Sequence, residues 1–180
     1  MVYEPREDSW LLQRLVKDMV CADDRVIDIG TGSGIQATTA LLMAEDVFAV
    51  DIDPECIEQL QKKEPRITGI VSDVFANVPK DKKFDVIICN PPYLPTDDRE
   101  PKDSALATTG GAKGSEIIER LLKEAKPFLA QSGCILLLYS SLSKDTPEII
   151  EKEGYTIEKT IEAAFSFERL YAVCLKARVI

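Results

Sequence analysis

Four consecutive residues, Asn90-Pro91-Pro92-Tyr93, could bind and orient a planar amino group. The side-chain oxygen of asparagine accepts a hydrogen bond from one N–H. Because proline has a fixed φ and no N–H, the backbone carbonyls of Asn90 and Pro91 are rigid acceptors for the second N–H. A nitrogen held in this way would expose its open face to an electrophilic methyl group. Taken alone, the tetrapeptide is equally well explained as a Pro-Pro loop that ends a strand.

Three aspartates lie at the ends of predicted β-strands. Asp28 and Asp51 lie near the carboxyl ends of the first two strands, and Asp73 follows the third. Parallel strands bring their carboxyl ends to one edge of a sheet, so we expect the three carboxylates along one rim. Like charges repel unless cations or hydrogen-bond donors lie between them. The pattern favours a ligand rich in N–H and O–H donors.

The segment Gly30-Thr31-Gly32-Ser33-Gly34 leads from the first strand into a helix. Its glycines permit positive φ and close approach of a ligand. The spacing is GxGxG, whereas dinucleotide-binding folds use GxGxxG, so a nicotinamide or flavin enzyme is disfavoured. Asp51 follows Gly30 by 21 residues, close to the spacing at which an acidic residue accepts from ribose hydroxyls. Asp28 could accept from the ammonium of an amino-acid ligand or cap the glycine turn.

The composition excludes several kinds of chemistry. The chain has 180 residues and no histidine, which removes Ser-His-Asp and Cys-His catalysis, histidine bases and most transition-metal sites. Its cysteines are widely spaced, without a CxxC pair, so we predict reduced packing residues and no metal site. They are Cys21, Cys56, Cys89, Cys134 and Cys174.

The net charge of −9 argues against general affinity for phosphate backbones and favours a basic protein partner. The sequence has no apolar run of about 18 residues and no basic leader followed by an apolar segment. We therefore expect a cytoplasmic protein.

Seven apolar segments predict seven β-strands separated by helices. The last two strands are joined only by residues 163–169, without a helical crossover, so they must pair antiparallel. The prediction is a single α/β domain over residues 1–180, with a mostly parallel seven-stranded sheet, one antiparallel strand near the C-terminus and helices on both faces. The predicted strands are 25–30, 47–52, 67–71, 84–89, 133–139, 154–158 and 170–177.

Two segments are predicted to lie over the site. Residues 1–22 contain a helix with apolar residues at helical spacing, which predicts packing on the sheet but leaves Tyr3 and Ser9 unexplained. Residues 94–113 form a predicted loop whose length is typical of functional lids.

Away from these two segments, Asp53 and Pro54 predict the start of a capped helix.

The motifs together resemble the Rossmann-like S-adenosylmethionine-dependent methyltransferases, and specifically the HemK/PrmC family of release factor glutamine N5-methyltransferases. The Asn-Pro-Pro-Tyr tetrapeptide is the most specific motif, although nucleic-acid amino-methylases share it. The opening of the chain resembles the short archaeal and eukaryotic branch. The matching segments are residues 3–9, 28–34, Val50-Asp51, Ser72-Asp73, residues 90–93, Gly110-Gly111 and the final antiparallel strand.

The resemblance implies S-adenosylmethionine as the cofactor and assigns residues to its parts. Ser9 would help to close over it, Asp28 would bind the ammonium, Asp51 the ribose hydroxyls and Asp73 the adenine amino group. The other implied contacts come from the backbone of Gly30, from Thr31, Gly32 and Ile52, from the backbone of Val74, and from Asn90 beside the methyl group.

The resemblance also implies the reaction and the partners. Asn90, Pro91, Pro92 and Tyr93 would hold the side-chain amide of the glutamine in a Gly-Gly-Gln motif of a class-I translation release factor. Bacterial members have an additional N-terminal domain, whereas members of the short branch include enzymes that work with a small zinc-binding activator subunit. Such a subunit is a possible partner here.

Other functions remain open from the sequence. A nucleic-acid methylase acting on adenine N6, cytosine N4 or guanine N2 would need an electropositive channel and base extrusion, which the acidic composition disfavours. In a protein-lysine methylase, the substrate's lysine ammonium would fit the acceptors of Asn90 and Pro91 less specifically than a planar NH₂ group does. A non-catalytic cofactor-binding subunit has no need of an intact Asn90-Pro91-Pro92-Tyr93 motif.

Overall fold

The computed structural model describes residues 5–92 and 114–178. The predicted lid 94–113, the Gly110-Gly111 segment, Tyr93 and Tyr3 lie outside this part of the chain. The helices are α1 (Glu7–Met19), α2 (Ile35–Ala40), α3 (Pro54–Lys63), α4 (Glu116–Ala125) and α5 (Thr146–Lys152), with a 3₁₀ turn at Lys126–Phe128. The strands are β1 (Arg25–Ile29), β2 (Asp46–Asp51), β3 (Thr68–Val71), β4 (Phe84–Cys89), β5 (Leu129–Ser140), β6 (Tyr155–Ala164) and β7 (Arg169–Ala177).

One seven-stranded sheet in the order β3-β2-β1-β4-β5-β7-β6 organises these elements. Strands β1 to β5 pair in parallel, whereas β7 is antiparallel to both β5 and β6. The predicted fold, with one antiparallel strand near the C-terminus, is confirmed. Because β1 to β4 are parallel and neighbouring, the loops after β1, β2, β3 and β4 meet at one edge of the sheet.

The strand side chains alternate between two apolar layers, as the pleat of a β-sheet requires. In β1, Val26 packs into the layer beneath α1, α2 and α3, and Ile27 packs into the layer beneath α4 and α5. In β4, Ile88 and Ile87 divide in the same way. All four side chains are fully buried. In the described part of the chain, helices therefore pack on both faces of the sheet.

Several elements differ in length from the prediction. β5 begins at Leu129, four residues before the predicted start at 133. β6 extends to Ala164, whereas the sequence predicts a strand only to 158, because residues 157–160 are exposed and the pairing register shifts between Ile157 and Lys159. α2 ends at Ala40, and residues 41–43 continue as turns. The predicted cap of α3 is confirmed, since the Asp53 side chain accepts from the backbone N–H of Glu55 at 2.9 Å and Pro54 is the first helical residue.

The cysteines are free thiols, and all except Cys21 are buried. Burial raises the pKa of the Cys89 thiol, with a smaller contribution from the charge of Asp28. A thiol with a raised pKa is a packing group rather than a nucleophile. Among residues 5–92 and 114–178, no helix has the length and apolar character to cross a membrane.

Candidate active site

A cavity of about 560 Å³ opens at the carboxyl edge of β1 to β4. Its volume is typical of small-molecule and cofactor sites. Every predicted site residue in the described part of the chain lines it. These residues are Ser9, Asp28, Gly30, Thr31, Gly32, Asp51, Ile52, Asp73, Val74, Asn90, Pro91 and Pro92. Tyr93, the remaining predicted residue, lies outside the described part, and the roles of all of them stay predictions.

Asp28 lies at the bottom of this cavity and is only 1% exposed. Its Oδ2 accepts from the Thr31 hydroxyl at 2.7 Å and from the backbone N–H of Ala37 at 3.2 Å. Burial raises the pKa of Asp28 to about 7, and the charge of Asp51 adds to this rise. Asp28 therefore caps the turn into α2, one of the two predicted possibilities, and its buried charge would also be stabilised by a cationic ligand.

Asp51 ends β2 and connects two loops of the cavity. Its Oδ2 accepts from the backbone N–H of Gly32 at 2.8 Å, and its Oδ1 accepts from the backbone N–H of Asp53 at 3.0 Å. Each carboxylate oxygen has a further lone pair. The carboxylate is thus fixed in orientation while it can still accept bonds from a pair of hydroxyls.

Asp73 has a partner that the sequence did not predict. The guanidinium nitrogen Nη1 of Arg120, on α4, lies 2.9 Å from Oδ1 and 3.0 Å from Oδ2 of Asp73. Asp28 and Asp51 also receive protein donors. The protein therefore supplies some of the donors that the three carboxylates require, and a donor-rich ligand at this rim stays a prediction.

The backbone around the cavity has unusual conformations. Gly30 and Gly32 have φ of +71° and +50°, and no neighbouring atom of the described residues lies within 4 Å of where a Cβ would be on either residue. Val74 has φ of +50°, which is rare for a β-branched residue. Strained backbone of this kind is concentrated at functional sites. The two glycines leave space at the cavity wall, and Val74 holds its loop in a conformation that local preference would not select.

Asn90, which follows β4, has a side-chain amide with two different ends. Its Nδ2 donates to Oδ2 of Asp8 at 3.1 Å. Its Oδ1 is buried and finds no hydrogen-bond partner among the described residues. An unpaired buried acceptor costs about 1–3 kcal/mol, which a ligand N–H would recover. Because Asn90 lines the cavity, Oδ1 is a candidate acceptor for a ligand bound there.

A second unpaired acceptor lies in the same cavity. The Nε2 of Gln36, on α2, donates to the backbone carbonyl of Ser9 at 2.8 Å. Its Oε1 is buried without a partner in the described part of the chain. Ser9 is 2% exposed, and both its backbone N–H and its hydroxyl donate to Oδ1 of Asp8, at 2.7 and 3.3 Å. The first turn of α1 therefore holds two amide side chains by their NH₂ groups.

Among the residues of the cavity region that the sequence did not predict, Asp8, Gln36 and Arg120 make side-chain contacts with other site residues. Asp8 and Gln36 line the cavity, and Arg120 binds one of its carboxylates. Asp8 belongs to residues 3–9, one of the segments that carry the family resemblance, and that membership could have indicated a position near the site. Gln36 and Arg120 lie on helices without a distinctive motif. Among residues 5–92 and 114–178, no cluster of three or more His, Cys, Asp or Glu side chains could hold a metal ion.

Comparison with known proteins identifies the family. Residues 8–164 match the methyltransferase small domain family. A relative from Methanocaldococcus jannaschii, provisionally named a protein N5-glutamine methyltransferase, is 37% identical over 96% of this chain and 90% of its own length. The release factor glutamine methyltransferase of Aquifex aeolicus is 26% identical over 87% of this chain, which spans 61% of that protein.

A similar fold is found in a solved structure. The E. cuniculi Mtq2–Trm112 complex, described as responsible for the methylation of the eRF1 translation termination factor, matches with a TM-score of 0.77. The match has 22% identity and covers 98% of this chain and 99% of that one. The predicted methyltransferase fold is thus confirmed. On the family match and the relative from Methanocaldococcus jannaschii, the chain belongs to the methyltransferase small domain family.

Proposed function

We propose that this chain methylates the side-chain amide nitrogen of a glutamine, with S-adenosylmethionine as the methyl donor, and that its substrate is the Gly-Gly-Gln motif of a class-I translation release factor. One observation carries the proposal. Asn90 lines the cavity and has a buried amide oxygen without a hydrogen-bond partner among the described residues, while its NH₂ group is already bound to Asp8. Such an acceptor is suited to an N–H of an amide.

The residues of the cavity fit S-adenosylmethionine. Asp28 is a buried carboxylate suited to the ammonium, and Asp51 retains acceptor capacity for the ribose hydroxyls. Asp73 and the backbone of Val74 remain the proposed contacts of the adenine. The open space beside Gly30 and Gly32 allows a ligand to approach the backbone. When bound, S-adenosylmethionine supplies a sulfonium methyl group as the electrophile.

The chain's own residues have to make an amide nitrogen reactive. The nitrogen is a poor nucleophile because its lone pair is delocalised into the carbonyl. Asn90 Oδ1 and the Pro91 carbonyl would each accept one N–H, which orients the lone pair and stabilises positive charge developing on the nitrogen. Tyr93 is proposed to pack against the flat amide. The proton can leave after transfer, so a chain without histidine needs no strong base.

The N-terminal segment 1–22 is proposed to act as a lid within a single catalytic domain. Asp8 and Ser9 are buried in the first turn of α1 and line the cavity. Glu7 lines it as well, beside Arg6, the residue before the helix. These contacts support the lid proposal, because the start of α1 lines the cavity while the apolar face of the helix packs in the core.

The substrate class is supported by the relatives. The Aquifex protein is named for release factor glutamine methylation, and the E. cuniculi complex is described as acting on a termination factor. That complex contains two different proteins, so a small activator subunit is a possible partner of this chain too; a zinc site in such a subunit is part of the hypothesis. Translation takes place in the cytoplasm, which agrees with the location expected from the sequence.

The proposal is tested by transfer of labelled methyl groups to three acceptors in parallel. These are an intact release factor, the same factor with its motif glutamine changed to alanine, and bulk DNA or RNA. We expect label only in the intact factor, and the reactions should be run with and without a candidate activator. Label in nucleic acid, or equal label in both factors, would contradict glutamine methylation.

A further inference from the structure

We propose that Asp8 is a positioning residue that fixes the orientation of the Asn90 amide, an inference that rests on the proposed function. The side chains are 82 residues apart in sequence and meet at 3.1 Å, between Asn90 Nδ2 and Asp8 Oδ2. An ionised carboxylate can only accept hydrogen bonds. It therefore binds the NH₂ end of the amide and repels the oxygen end, so Oδ1 points away from Asp8 and is left for a ligand.

Asp8 is itself held firmly enough to do this. It is 5% exposed and lies in the first turn of α1. Its other oxygen, Oδ1, accepts from the backbone N–H of Ser9 at 2.7 Å. Ser9 in turn is tied to α2, because its carbonyl accepts from Gln36. A carboxylate fixed at one oxygen directs the other, which is the way in which supporting residues preorganise a catalytic group.

The charge of Asp8 has a further consequence for the reaction. A negative acceptor polarises the Asn90 amide and makes its oxygen a stronger acceptor. That oxygen faces the nitrogen on which positive charge develops during methyl transfer. Asp8 does not need to touch the substrate for this effect. Its contribution should therefore depend entirely on the presence of Asn90.

A double-mutant cycle tests this dependence. Asp8→Ala is compared in the wild-type and Asn90→Ala backgrounds, with kcat measured on a release factor and affinity measured for S-adenosylhomocysteine. We expect Asp8→Ala to lower kcat about tenfold or more in the wild type and less than about twofold in Asn90→Ala. An equal loss in both backgrounds would show that Asp8 acts independently, and would overturn the inference.

Two further variants separate positioning from folding. Asp8→Asn has nearly the same shape, but its own NH₂ can bond to Asn90 Oδ1 and consume the acceptor, so kcat should fall as well. Asp18→Ala removes an exposed carboxylate from the same helix, 3.1 Å from Lys159, and should leave kcat unchanged. Full activity in Asp8→Asn and Asp8→Ala would contradict the inference. A wild-type chain that labels no release factor would instead overturn the proposed function.

Gln36 supports a second proposal on an independent observation. We infer that its unpaired Oε1 accepts a hydrogen bond from the ammonium of the bound cofactor. Gln36 lines the cavity, is 3% exposed and precedes Ala37, whose N–H binds Asp28. Its Nε2 is bound to Ser9, so the amide cannot turn without losing that bond. Oε1 and Asp28 would together accept two of the three ammonium protons.

The test compares two ligands that differ in the amino-acid portion. S-adenosylhomocysteine carries the ammonium, and 5′-methylthioadenosine lacks it. We expect Gln36→Met to lower the affinity for S-adenosylhomocysteine about fivefold and to change the affinity for methylthioadenosine less than about twofold. The matched control is Gln13→Met, which removes another bond between α1 and α2, from Gln13 Nε2 to Thr39 Oγ1 at 2.9 Å. It should leave both affinities unchanged.

If Gln36→Met lowered the affinity for both ligands equally, Gln36 would only support the fold. If it changed neither affinity, Oε1 would not contact the ligand. Either result overturns this proposal. A wild-type chain that binds neither ligand would instead overturn the proposed cofactor.

Discussion

At the scale of single residues, the charge of Asp28 controls both stability and ligand binding. Its pKa is raised from an ordinary 3.8 to about 7, so between these values the folded chain binds more protons than the unfolded chain. Stability contributed by this group is therefore greatest at low pH and falls as pH rises through that window. A ligand with an ammonium group would instead favour the ionised form of Asp28, because its positive charge stabilises the carboxylate.

This reversal predicts a pH dependence of binding. Affinity for S-adenosylhomocysteine should rise about tenfold between pH 5.5 and 7.0, as Asp28 loses its proton and the ligand ammonium remains charged. Calorimetry at several pH values measures the change. In the control variant Asp28→Asn, binding should be weaker and nearly independent of pH over this range. The same slope in wild type and variant would mean that another group titrates on binding.

At the scale of secondary-structure elements, the turn from β1 into α2 depends on Gly34 in two ways. Gly34 has φ of +81°, and a Cβ on it would lie 2.4 Å from Cδ1 of Leu60, a buried residue of α3. Gly154, after α5, has a nearly equal φ of +80°, but no neighbouring atom in the described part of the chain lies within 4 Å of its Cβ position. The two glycines share a backbone requirement and differ only in packing.

This difference gives a matched pair of variants. Gly154→Ala should lower the free energy of unfolding by about 1–2 kcal/mol, the cost of left-handed backbone in a residue with a Cβ. Gly34→Ala should lower the free energy of unfolding by at least about 1 kcal/mol more than Gly154→Ala does, because Leu60 must also move. Denaturant unfolding of both variants measures the values. Equal losses would show that Leu60 adapts without cost.

The elements also show what could be predicted from sequence and what could not. The strands and the antiparallel position of β7 followed from apolar patterning and from the short connection before Arg169. The end of β6 did not, because four consecutive exposed residues, 157–160, and a register shift between Ile157 and Lys159 interrupt the alternation that marks a half-buried strand. The pairs Asp8–Asn90 and Asp73–Arg120 join elements far apart in sequence, and no local pattern encodes such contacts.

At the scale of the whole molecule, the net charge of −9 favours a protein substrate over a nucleic acid. Non-specific binding to DNA or RNA requires neutralised phosphates and is strongest at low salt. We expect labelled single-stranded RNA and DNA to bind with Kd weaker than about 100 μM at physiological salt, as measured by fluorescence anisotropy. Tighter binding that weakens steeply with added salt would favour a nucleic-acid methylase.

The central claim concerns one atom, the Oδ1 of Asn90, and Asn90→Ala removes it. Because this oxygen is proposed to hold the substrate amide rather than the cofactor, kcat on the release factor should fall about 100-fold or more. Affinity for S-adenosylhomocysteine should stay within about threefold of wild type. If kcat and affinity fell by the same factor, or if kcat were retained, Asn90 would not be the acceptor that orients the reacting nitrogen.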